Sequence, residues 1–455
     1  MEAAPLAGPV GRSSSIRWNV LSLLFLASFV AYVLRTNLSI AGEAMMADLG
    51  LSKLQLGIVL AAFAWGYGIF QIPGGVLGDR LGARRALALI ALAWGALNLL
   101  VAGAPGRATA SPALILASLA LLRLAMGAAQ APLYPVTGAN ICNWFPQSGW
   151  AFPNGLTNAG LTLGSAATGP LIAWLTQSLG WRLSFAATAP LAFLVAGAWW
   201  WYARDTPAQH RGVSRSELEL IDRNRAPAAE LAPPPGSWRL ALRDREVLLL
   251  TASYFCSNYV FYFFFNWLYI YLVDSRGFQV LEGGLYAAAP WITGAVGATL
   301  GGLVCDRLCA RLGLRWGCRW PSILGLVLAG GLIGAAAVSP DPVLAVVFLS
   351  LCLGFQQFTE GAFWAATIAV GGRHCATACG VLNTGGNVVG GIGALLVPIT
   401  VERLGWGAAL ATASCFAFLA AGLWLFIRAD QGIQAGGAPD QEQGKEPSRN
   451  FPGPV

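Results

Sequence analysis

Two arginines stand within long apolar runs of the sequence, where charged side chains are rare. Arg35 lies in the first of these runs, and Arg123 lies well inside a later one. Holding an arginine near the centre of a bilayer costs about 3 to more than 10 kcal/mol, so such a residue should face a wet cavity or a partner. Because a guanidinium fork suits carboxylates, the pair indicates an anion site. A structural ion pair, or side chains that extend to the interface, would be the simpler alternative.

One carboxylate, Glu360, falls clearly inside an apolar run, whereas Glu43 is a borderline case near the outer end of the first run. A carboxyl group in a cavity of low dielectric can take up and release a proton, which makes Glu360 a candidate coupling residue. The alternative is a permanent salt bridge with an arginine. Two arginines and one glutamate leave a net positive charge for an anion even when Glu360 is ionised.

The apolar runs that hold these residues predict an all-α membrane protein. Of the 455 residues, 56% are hydrophobic and 11% are charged, too few polar side chains to cover a water-exposed globule of this size. Runs of about 20 apolar residues are long enough to cross a bilayer. Hydropathy and Gly/Pro breaks predict twelve spans, at 18–41, 54–77, 85–103, 113–137, 152–177, 183–202, 247–272, 284–305, 321–338, 343–370, 377–400 and 406–427.

Basic residues are distributed unequally between the two sides of the predicted membrane. One side carries most of them, in the N-terminal segment, the loops at 80–85 and 307–319, the central linker and the tail; the other side has only Lys53, Arg107, Arg182, Arg276 and Arg403. This asymmetry predicts a multi-pass protein of the plasma (inner) membrane with both termini cytoplasmic. Charge spread over such short loops does not require a nucleic-acid partner.

The apolar spans and the basic loops together divide the chain into five segments. We expect a cytoplasmic N-terminal segment (1–17), a six-helix bundle (18–203), a cytoplasmic linker (204–246) with a short amphipathic piece at 214–222, a second six-helix bundle (247–428) and a disordered cytoplasmic tail (429–455).

Two internal matches indicate that the bundles arose by duplication. The segment GGVLGDRLGAR at 74–84 matches GGLVCDRLCAR at 301–311, and Asn158 to Trp181 matches Asn383 to Trp406 at nearly the same offset. Glycines allow neighbouring helices to approach closely, and an aspartate can cap a helix end and pair with arginines of the next loop. These residues therefore predict a cytoplasmic gate, made of Gly75, Asp79, Arg80, Arg84, Gly302, Asp306, Arg307 and Arg311.

The sequence resembles the major facilitator superfamily and, within it, the anion:cation symporter family of sugar-acid carriers, sialin and the vesicular glutamate transporters. The resemblance covers about residues 18–428. It rests on Arg35-Thr-Asn-Leu-Ser39, Phe63-Ala-Trp-Gly-Tyr67, Gln71-Ile-Pro-Gly-Gly75, Asp79-Arg80, Arg123, Ala131-Pro-Leu-Tyr-Pro135, Trp144-Phe-Pro146, Trp267-Leu-Tyr-Ile-Tyr-Leu272, Phe363-Trp364 and Asn383-Thr-Gly-Gly-Asn387. It implies two pseudo-symmetric six-helix bundles around a central site, with Arg35 and Arg123 holding the substrate carboxylate.

Further side chains could bind the solute. Tyr67, Asn158, Asn383 and Asn387 could supply hydrogen bonds, and Tyr259, Trp267 and Trp364 could close over it. The resemblance implies a cavity position for Tyr67, whereas ordinary helix packing or an interfacial belt is the alternative for each of the other aromatic residues. Two positions depart from the pattern of many bacterial members, because Leu34 and Gln130 stand where the usual proton-binding acids would be. Coupling then falls to Glu360, or transport follows the membrane potential, sodium or exchange.

The sequence gives little support for a metal site, an enzyme or an ATP-driven pump. Cys305, Cys309 and Cys318, together with His374, Cys375 and Cys379, lack the two-residue spacing of zinc knuckles, so no metal site and no cofactor are predicted. With only two histidines and no P-loop, the chain is not expected to be an enzyme or an ATP-driven pump.

These observations together predict a monomeric secondary transporter that moves a small organic anion, a carboxylate or sugar acid, by alternating access, with a proton or sodium as the co-transported ion. Two alternatives are a facilitator or exporter of neutral or amphiphilic solutes, with structural arginines, and a membrane sensor that transports nothing.

Overall fold

The fold is known from a computed structural model, which describes residues 14–222, 238–278 and 280–433. In these ranges all regular structure is helical. The α-helices are α1 (Ile16–Leu49), α2 (Lys53–Leu81), α3 (Ala83–Ala102), α4 (Pro112–Gln130), α5 (Leu133–Trp144), α6 (Ala151–Tyr202), α7 (Arg215–Asp222), α8 (Trp238–Ala241), α9 (Arg245–Asn266), α10 (Leu268–Asp274), α11 (Val280–Val338), α12 (Pro342–Phe358), α13 (Glu360–Gly371) and α14 (Cys375–Leu423).

Nine helical stretches in the described ranges are long and apolar enough to cross a membrane. Three of them have 53 residues or more and can therefore cross twice, which gives twelve crossings. Three crossings consist of two short helices, because α4 and α5, α9 and α10, and α12 and α13 are separated only by 131–132, by Trp267 and by Thr359. The all-α membrane architecture predicted from the sequence is confirmed.

Three long helices turn back on themselves at a single glycine. Within α6, α11 and α14 the backbone leaves the helical region at Gly180 (φ 78°), Gly313 (φ 77°) and Gly405 (φ 82°). Only glycine adopts this conformation easily, because it has no Cβ. Gly180 and Gly405 occupy the same place in the repeated Leu-Gly-Trp segment, so the duplication seen in the sequence is also a duplication of backbone geometry.

Replacing Gly180 by alanine should destabilise the protein by about 1–3 kcal/mol, since an L-residue is strained at this φ and ψ. A Cβ at Gly180 would meet nothing within 4 Å, so the loss would come from the backbone alone. Gly197 provides the matched control, because it also has open space around it but no positive φ. Thermal unfolding in detergent should show a lower midpoint for Gly180→Ala and no decrease for Gly197→Ala; equal midpoints would contradict the assignment.

The two halves pack as separate bundles that meet along a common face. In the first half α1 and α3 lie against α6, and α2 lies against α4; in the second, α9 lies against α14, and α11 against α12. The shared face is made mainly by α2, α5 and α6 on one side and α11, α13 and α14 on the other. Any site for a solute between the halves must therefore be built from these helices.

The linker includes the predicted amphipathic helix, α7. Its Glu217 is fully buried and accepts hydrogen bonds from the backbone N–H groups of Ile16 and Arg17, both at 3.2 Å, and from the hydroxyl of Ser14. A carboxylate at a helix N-terminus stabilises it, so α7 caps α1. The expected disorder of the tail concerns a segment that lies mostly outside the described residues.

Candidate functional site

A polar cavity lies where the two halves meet. It has about 400 Å³ of empty space, part of which is open to solvent. Its lining residues come from both halves: Tyr32, Tyr67, Tyr134, Asn158 and Leu161 from the first, and Tyr254, Asn258, Phe261, Tyr262, Gln357, Glu360, Trp364, Asn383 and Asn387 from the second. All but two of these side chains carry a hydrogen-bonding group, which suits a solute with many oxygens.

Arg35 lies beside this cavity, behind two of the tyrosines that line it. Its guanidinium carbon is 4.5 Å from the ring centre of Tyr67 and 5.1 Å from those of Tyr32 and Phe63. Its Nη1 donates a hydrogen bond of 3.2 Å to the hydroxyl of Tyr32. The aromatic faces stabilise the cation without neutralising it.

Arg123 is more deeply placed and does not line the cavity. Only 2% of its surface is exposed; its Nη2 donates to the backbone carbonyl of Arg35 at 2.9 Å, and its guanidinium stacks on Phe63 at 4.9 Å. Its Nε has no hydrogen-bond partner among the residues that the structure describes. In this conformation Arg123 therefore supports the backbone that presents Arg35, and its direct contact with a carboxylate stays a prediction.

Neither arginine forms an ion pair with any residue that the structure describes. Within the described residues, no aspartate or glutamate oxygen lies within 4.0 Å of the side-chain nitrogens of Arg35 or Arg123. The structural ion pair considered from the sequence is therefore absent from this part of the chain. A half-buried and a buried positive charge without a carboxylate partner there make the site attractive to an anion.

Glu360 faces the cavity from the first turn of α13. It is 3% exposed and accepts hydrogen bonds from the Tyr254 hydroxyl (3.0 Å), the Trp364 indole (3.3 Å) and the Gln356 amide (3.4 Å). The helix N-terminus also stabilises its charge. The salt bridge with an arginine that the sequence allowed is absent from the described ion pairs, so neutral donors hold the carboxylate and its role in coupling stays a prediction.

Hydrogen bonds connect the halves across the cavity. Asn158 donates to Gln357 at 3.3 Å, and Asn383 donates to the Tyr67 hydroxyl at 3.4 Å. On the second half, Asn387 accepts from Tyr262 at 2.7 Å. Groups expected to bind a solute therefore also join the two halves.

The cavity contains most of the residues expected to bind the solute, but not all. The lining includes Tyr67, Asn158, Asn383, Asn387 and Trp364. Tyr259, expected to close over the solute, instead stacks on Phe416 at 4.3 Å, and Trp267, also expected there, stands at the break between α9 and α10. Sequence reasoning missed the lining residues Tyr32, Tyr134, Tyr254, Asn258, Tyr262 and Gln357. For Tyr32 a signal existed, since it precedes Arg35 by one helical turn.

The repeated Gly/Asp/Arg motifs lie at one end of the bundle, called here the motif end, where they join the halves. Asp79 accepts hydrogen bonds from the backbone N–H groups of Ala376 and Thr377, both at 3.1 Å. In the same way Asp306 accepts from the N–H groups of Ala151 (2.8 Å) and Phe152 (2.9 Å). Each aspartate thus caps the first turn of a long helix in the opposite half.

The glycines of the motifs permit this contact. A Cβ on Gly75 would lie 2.5 Å from the carbonyl oxygen of Ala376, and a Cβ on Gly302 would lie 2.6 Å from that of Ala151. Neither clash could be relieved without moving backbone. The two glycines therefore allow helices of opposite halves to approach closely, and their part in gating stays a prediction.

The arginines of the motifs do not pair with the aspartates as predicted. Neither Asp79 nor Asp306 pairs with an arginine in the described residues, because both carboxylates are used by helix N-termini. Arg84 donates to the carbonyl of Trp200, and its backbone N–H donates to Asp205, so it ties α3 to the end of α6. The other gating arginines, Arg80, Arg307 and Arg311, are exposed at the surface. The expected pairing of aspartate with arginine is wrong for this conformation.

Replacing Asp79 by asparagine should loosen the motif end, because the amide keeps only one of the two accepting oxygens and loses the charge. At about 1 kcal/mol for a helix cap, amide hydrogen exchange at Ala376 and Thr377 should become about fivefold faster. Asp306→Asn should do the same at Ala151 and Phe152. The control is Asp341→Asn, since Asp341 caps α12 within one half. Exchange that is unchanged in both motif variants would contradict the assignment.

Comparison with known proteins places the chain in a family. The sequence profile of the Major Facilitator Superfamily matches residues 24–313. A probable sulfoacetate transporter of Cupriavidus necator is 30% identical over 86% of this chain and 88% of its own length, and a probable galactarate/D-glucarate transporter of Bacillus subtilis is 32% identical over 84% of each.

The fold comparison agrees. The solved structure of the proton:xylose symporter XylE superimposes with a TM-score of 0.72 at 14% identity, covering 92% of this chain and 98% of that one. The profile match covers more than half of the chain, and the curated relatives are named as transporters. The chain therefore belongs to the major facilitator superfamily, and it is an integral membrane transporter rather than an enzyme.

Proposed function

We propose that this transporter carries a small organic anion, a carboxylate or sugar acid, across the membrane. The observation that carries the proposal is a pair of arginines, the half-buried Arg35 and the buried Arg123, with no carboxylate partner in the described residues. An uncompensated buried charge is costly, and an anionic solute would offset that cost. The names of the relatives, a sulfoacetate and a galactarate/D-glucarate transporter, support the same class of solute.

The cavity lining favours an acid that also carries hydroxyl groups. Tyrosine hydroxyls and the amides of Asn158, Asn258, Asn383 and Asn387 both donate and accept hydrogen bonds, as sugar hydroxyls do. The carboxylate would lie toward Arg35, at the side formed by Tyr32 and Tyr67. The remaining oxygens would lie among the amides, and Trp364 offers a flat face to the carbon chain. Tyr67, Asn158, Asn383, Asn387 and Trp364 are thus proposed binding residues.

Transport would proceed by rocking of the two halves about this cavity. Hydrogen bonds join the halves at the cavity and at the motif end. This conformation is closed at the motif end, so solute would enter from the opposite side. Release needs the caps made by Asp79 and Asp306 to break while contacts form elsewhere. The proposed bundles are 18–203 and 247–428.

We propose that the motif end lies on the cytoplasmic side of the inner membrane, with both termini on that side, and the excess of basic residues in these loops supports this orientation. We propose a monomer, because the cavity is completed by the two halves of one chain. For coupling, Glu360 is the proposed proton site. The two positions that lack the usual acids cannot serve, because Leu34 is apolar and fully buried and Gln130 donates to the carbonyl of Ala31 at 3.1 Å. Sodium coupling is the alternative.

A thermal-shift screen of the purified full-length protein would test the solute class. Each acid should be paired with its neutral counterpart, for example galactarate with galactitol and glucarate with sorbitol. A solute at about one hundred times its dissociation constant stabilises the folded state by about 2.7 kcal/mol. We expect at least one acid to raise the unfolding midpoint while its neutral partner does not. Equal shifts for acid and polyol would favour the carrier of neutral solutes.

A further inference from the structure

Three buried cysteines meet at the turn in the middle of α11. Cys305 and Cys309 are one helical turn apart on the leg that precedes Gly313, and Cys318 lies on the leg that follows it. Their sulfur atoms are 3.9 Å (Cys305 to Cys309), 3.8 Å (Cys305 to Cys318) and 3.7 Å (Cys309 to Cys318) apart. In the part of the chain that the structure describes, no other group of His, Cys, Asp or Glu converges in this way.

The backbone allows the three sulfurs to meet because Gly317 has no side chain. A Cβ at Gly317 would lie 2.4 Å from the Cα of Cys309 and 2.6 Å from its Sγ. Any larger residue would push the two legs apart. The turn at Gly313, with φ 77°, brings the second leg back against the first. The close approach of the sulfurs thus depends on two glycines: Gly313 makes the turn, and Gly317 leaves room for Cys309.

The distances between the sulfurs are those that a bound metal ion requires. A zinc–thiolate bond is about 2.3 Å, which places tetrahedral sulfur ligands about 3.8 Å apart and ligands in a plane around three-coordinate metal about 4.0 Å apart. All three observed distances fall within 0.3 Å of these values. The sulfurs already form one triangular face of a coordination shell, so metal binding would need little rearrangement.

We propose that Cys305, Cys309 and Cys318 form a binding site for a thiophilic metal ion, such as Zn²⁺ or Cu⁺. Binding would replace the thiol protons, so each loaded site releases protons to solvent. The four-residue spacing of Cys305 and Cys309 differs from the two-residue spacing of zinc knuckles, and for that reason the sequence predicted no metal site. However, ligands at i and i+4 lie on the same face of a helix, and the third ligand comes from the antiparallel leg, so no knuckle is needed.

The position of the site connects it to the motif end. Asp306, which caps α6 in the first half, directly follows Cys305. A metal ion would fix the two legs of α11 beside that cap. Its expected effect is to stabilise the conformation closed at the motif end. This role does not depend on the nature of the transported solute.

The first test measures metal retention. Full-length protein purified in detergent would be reduced, stripped with a chelator and reloaded with Zn²⁺ or with Cu⁺ in separate arms, and metal per chain would be measured by mass spectrometry after gel filtration. We expect about one ion per chain in at least one arm. Each of Cys305→Ser, Cys309→Ser and Cys318→Ser should retain at least about tenfold less. The control is Cys352→Ser, since Cys352 is equally buried and lies outside the cluster.

No retention by the wild type in either arm would overturn the proposal, as would equal retention by Cys318→Ser and Cys352→Ser. A second measurement needs no variant and so does not depend on their folding. Metal should slow alkylation of Cys309 at least about tenfold in the wild type, while the exposed Cys415 reacts at an unchanged rate. Equal protection of both cysteines, or of neither, would also overturn the site.

Discussion

Replacing Arg35 by lysine should reduce uptake of a sugar acid at least about tenfold, and replacement by alanine should reduce it about a hundredfold. Hydrogen bonds to charged groups contribute about 1.5–3 kcal/mol, and each 1.4 kcal/mol corresponds to a factor of ten. Lysine keeps the charge but not the planar fork that binds a carboxylate at two points. It would also lose the stacking on Tyr67. Uptake of labelled acid into proteoliposomes measures the effect.

A variant of Arg123 tests whether this second arginine also contributes to the binding of organic acids. Arg123→Ala removes the hydrogen bond to the Arg35 carbonyl as well as one positive charge, so affinity for organic acids should fall. The control is Arg107→Ala, which removes an exposed charge remote from the cavity. If affinity for acids were unchanged in both Arg35→Ala and Arg123→Ala, the arginines would be structural and a carrier of neutral solutes would be the better hypothesis.

The second large effect concerns Glu360→Gln, which should abolish the dependence of uptake on a pH gradient. Protonation of Glu360 removes the negative charge of the cavity lining, so the wild type should bind an anion more tightly as pH falls. The charge of Glu360 should change the binding free energy of an anion in the cavity by about 1–2 kcal/mol, which corresponds to about five- to thirtyfold in affinity. Glutamine fixes the neutral form, which should make affinity high and independent of pH. Tyr254, Trp364 and Gln356, which contact the carboxylate, can still bond to the amide.

A matched control for this variant is Glu246→Gln. Glu246 is another buried glutamate, 5% exposed, but it lies at the start of α9 and bonds to Arg245 and to the backbone N–H of Arg428, away from the cavity. Accumulation driven by a pH gradient should survive in Glu246→Gln. If it also survives unaltered in Glu360→Gln, Glu360 is not the proton site, and sodium, exchange or the membrane potential must drive transport.

The fold could be predicted from the sequence because each span is encoded locally. The length of each apolar run defines a crossing. Gly180 and Gly405, which lie at the same place in the repeated segment, both have a positive φ, so the repeat in the sequence is also present in the backbone. The partners of Asp79 and Asp306 could not be predicted, since a cap between halves depends on how the bundles dock. One clue existed. The first capped backbone N–H groups, those of Ala151 and Ala376, are separated by the same offset as the second repeat.

The site could be predicted only in part, because charge is visible in an apolar sequence and helix rotation is not. Arg35, Arg123 and Glu360 stood out by their rarity. Tyrosines such as Tyr134 and Tyr262 did not, because a tyrosine within a span usually packs against its neighbours. Which of them face the cavity depends on the rotation of each helix, which is fixed by long-range packing.

The reciprocal caps at the motif end have a consequence for how the halves separate. Asp79 belongs to the first half and binds the second, whereas Asp306 belongs to the second and binds the first. The attachment is therefore bivalent, and once one cap has formed, the other forms at the high effective concentration of an intramolecular reaction. Loss of one cap leaves the second to re-form the pair, so closure becomes a cooperative, all-or-none event rather than a gradual one.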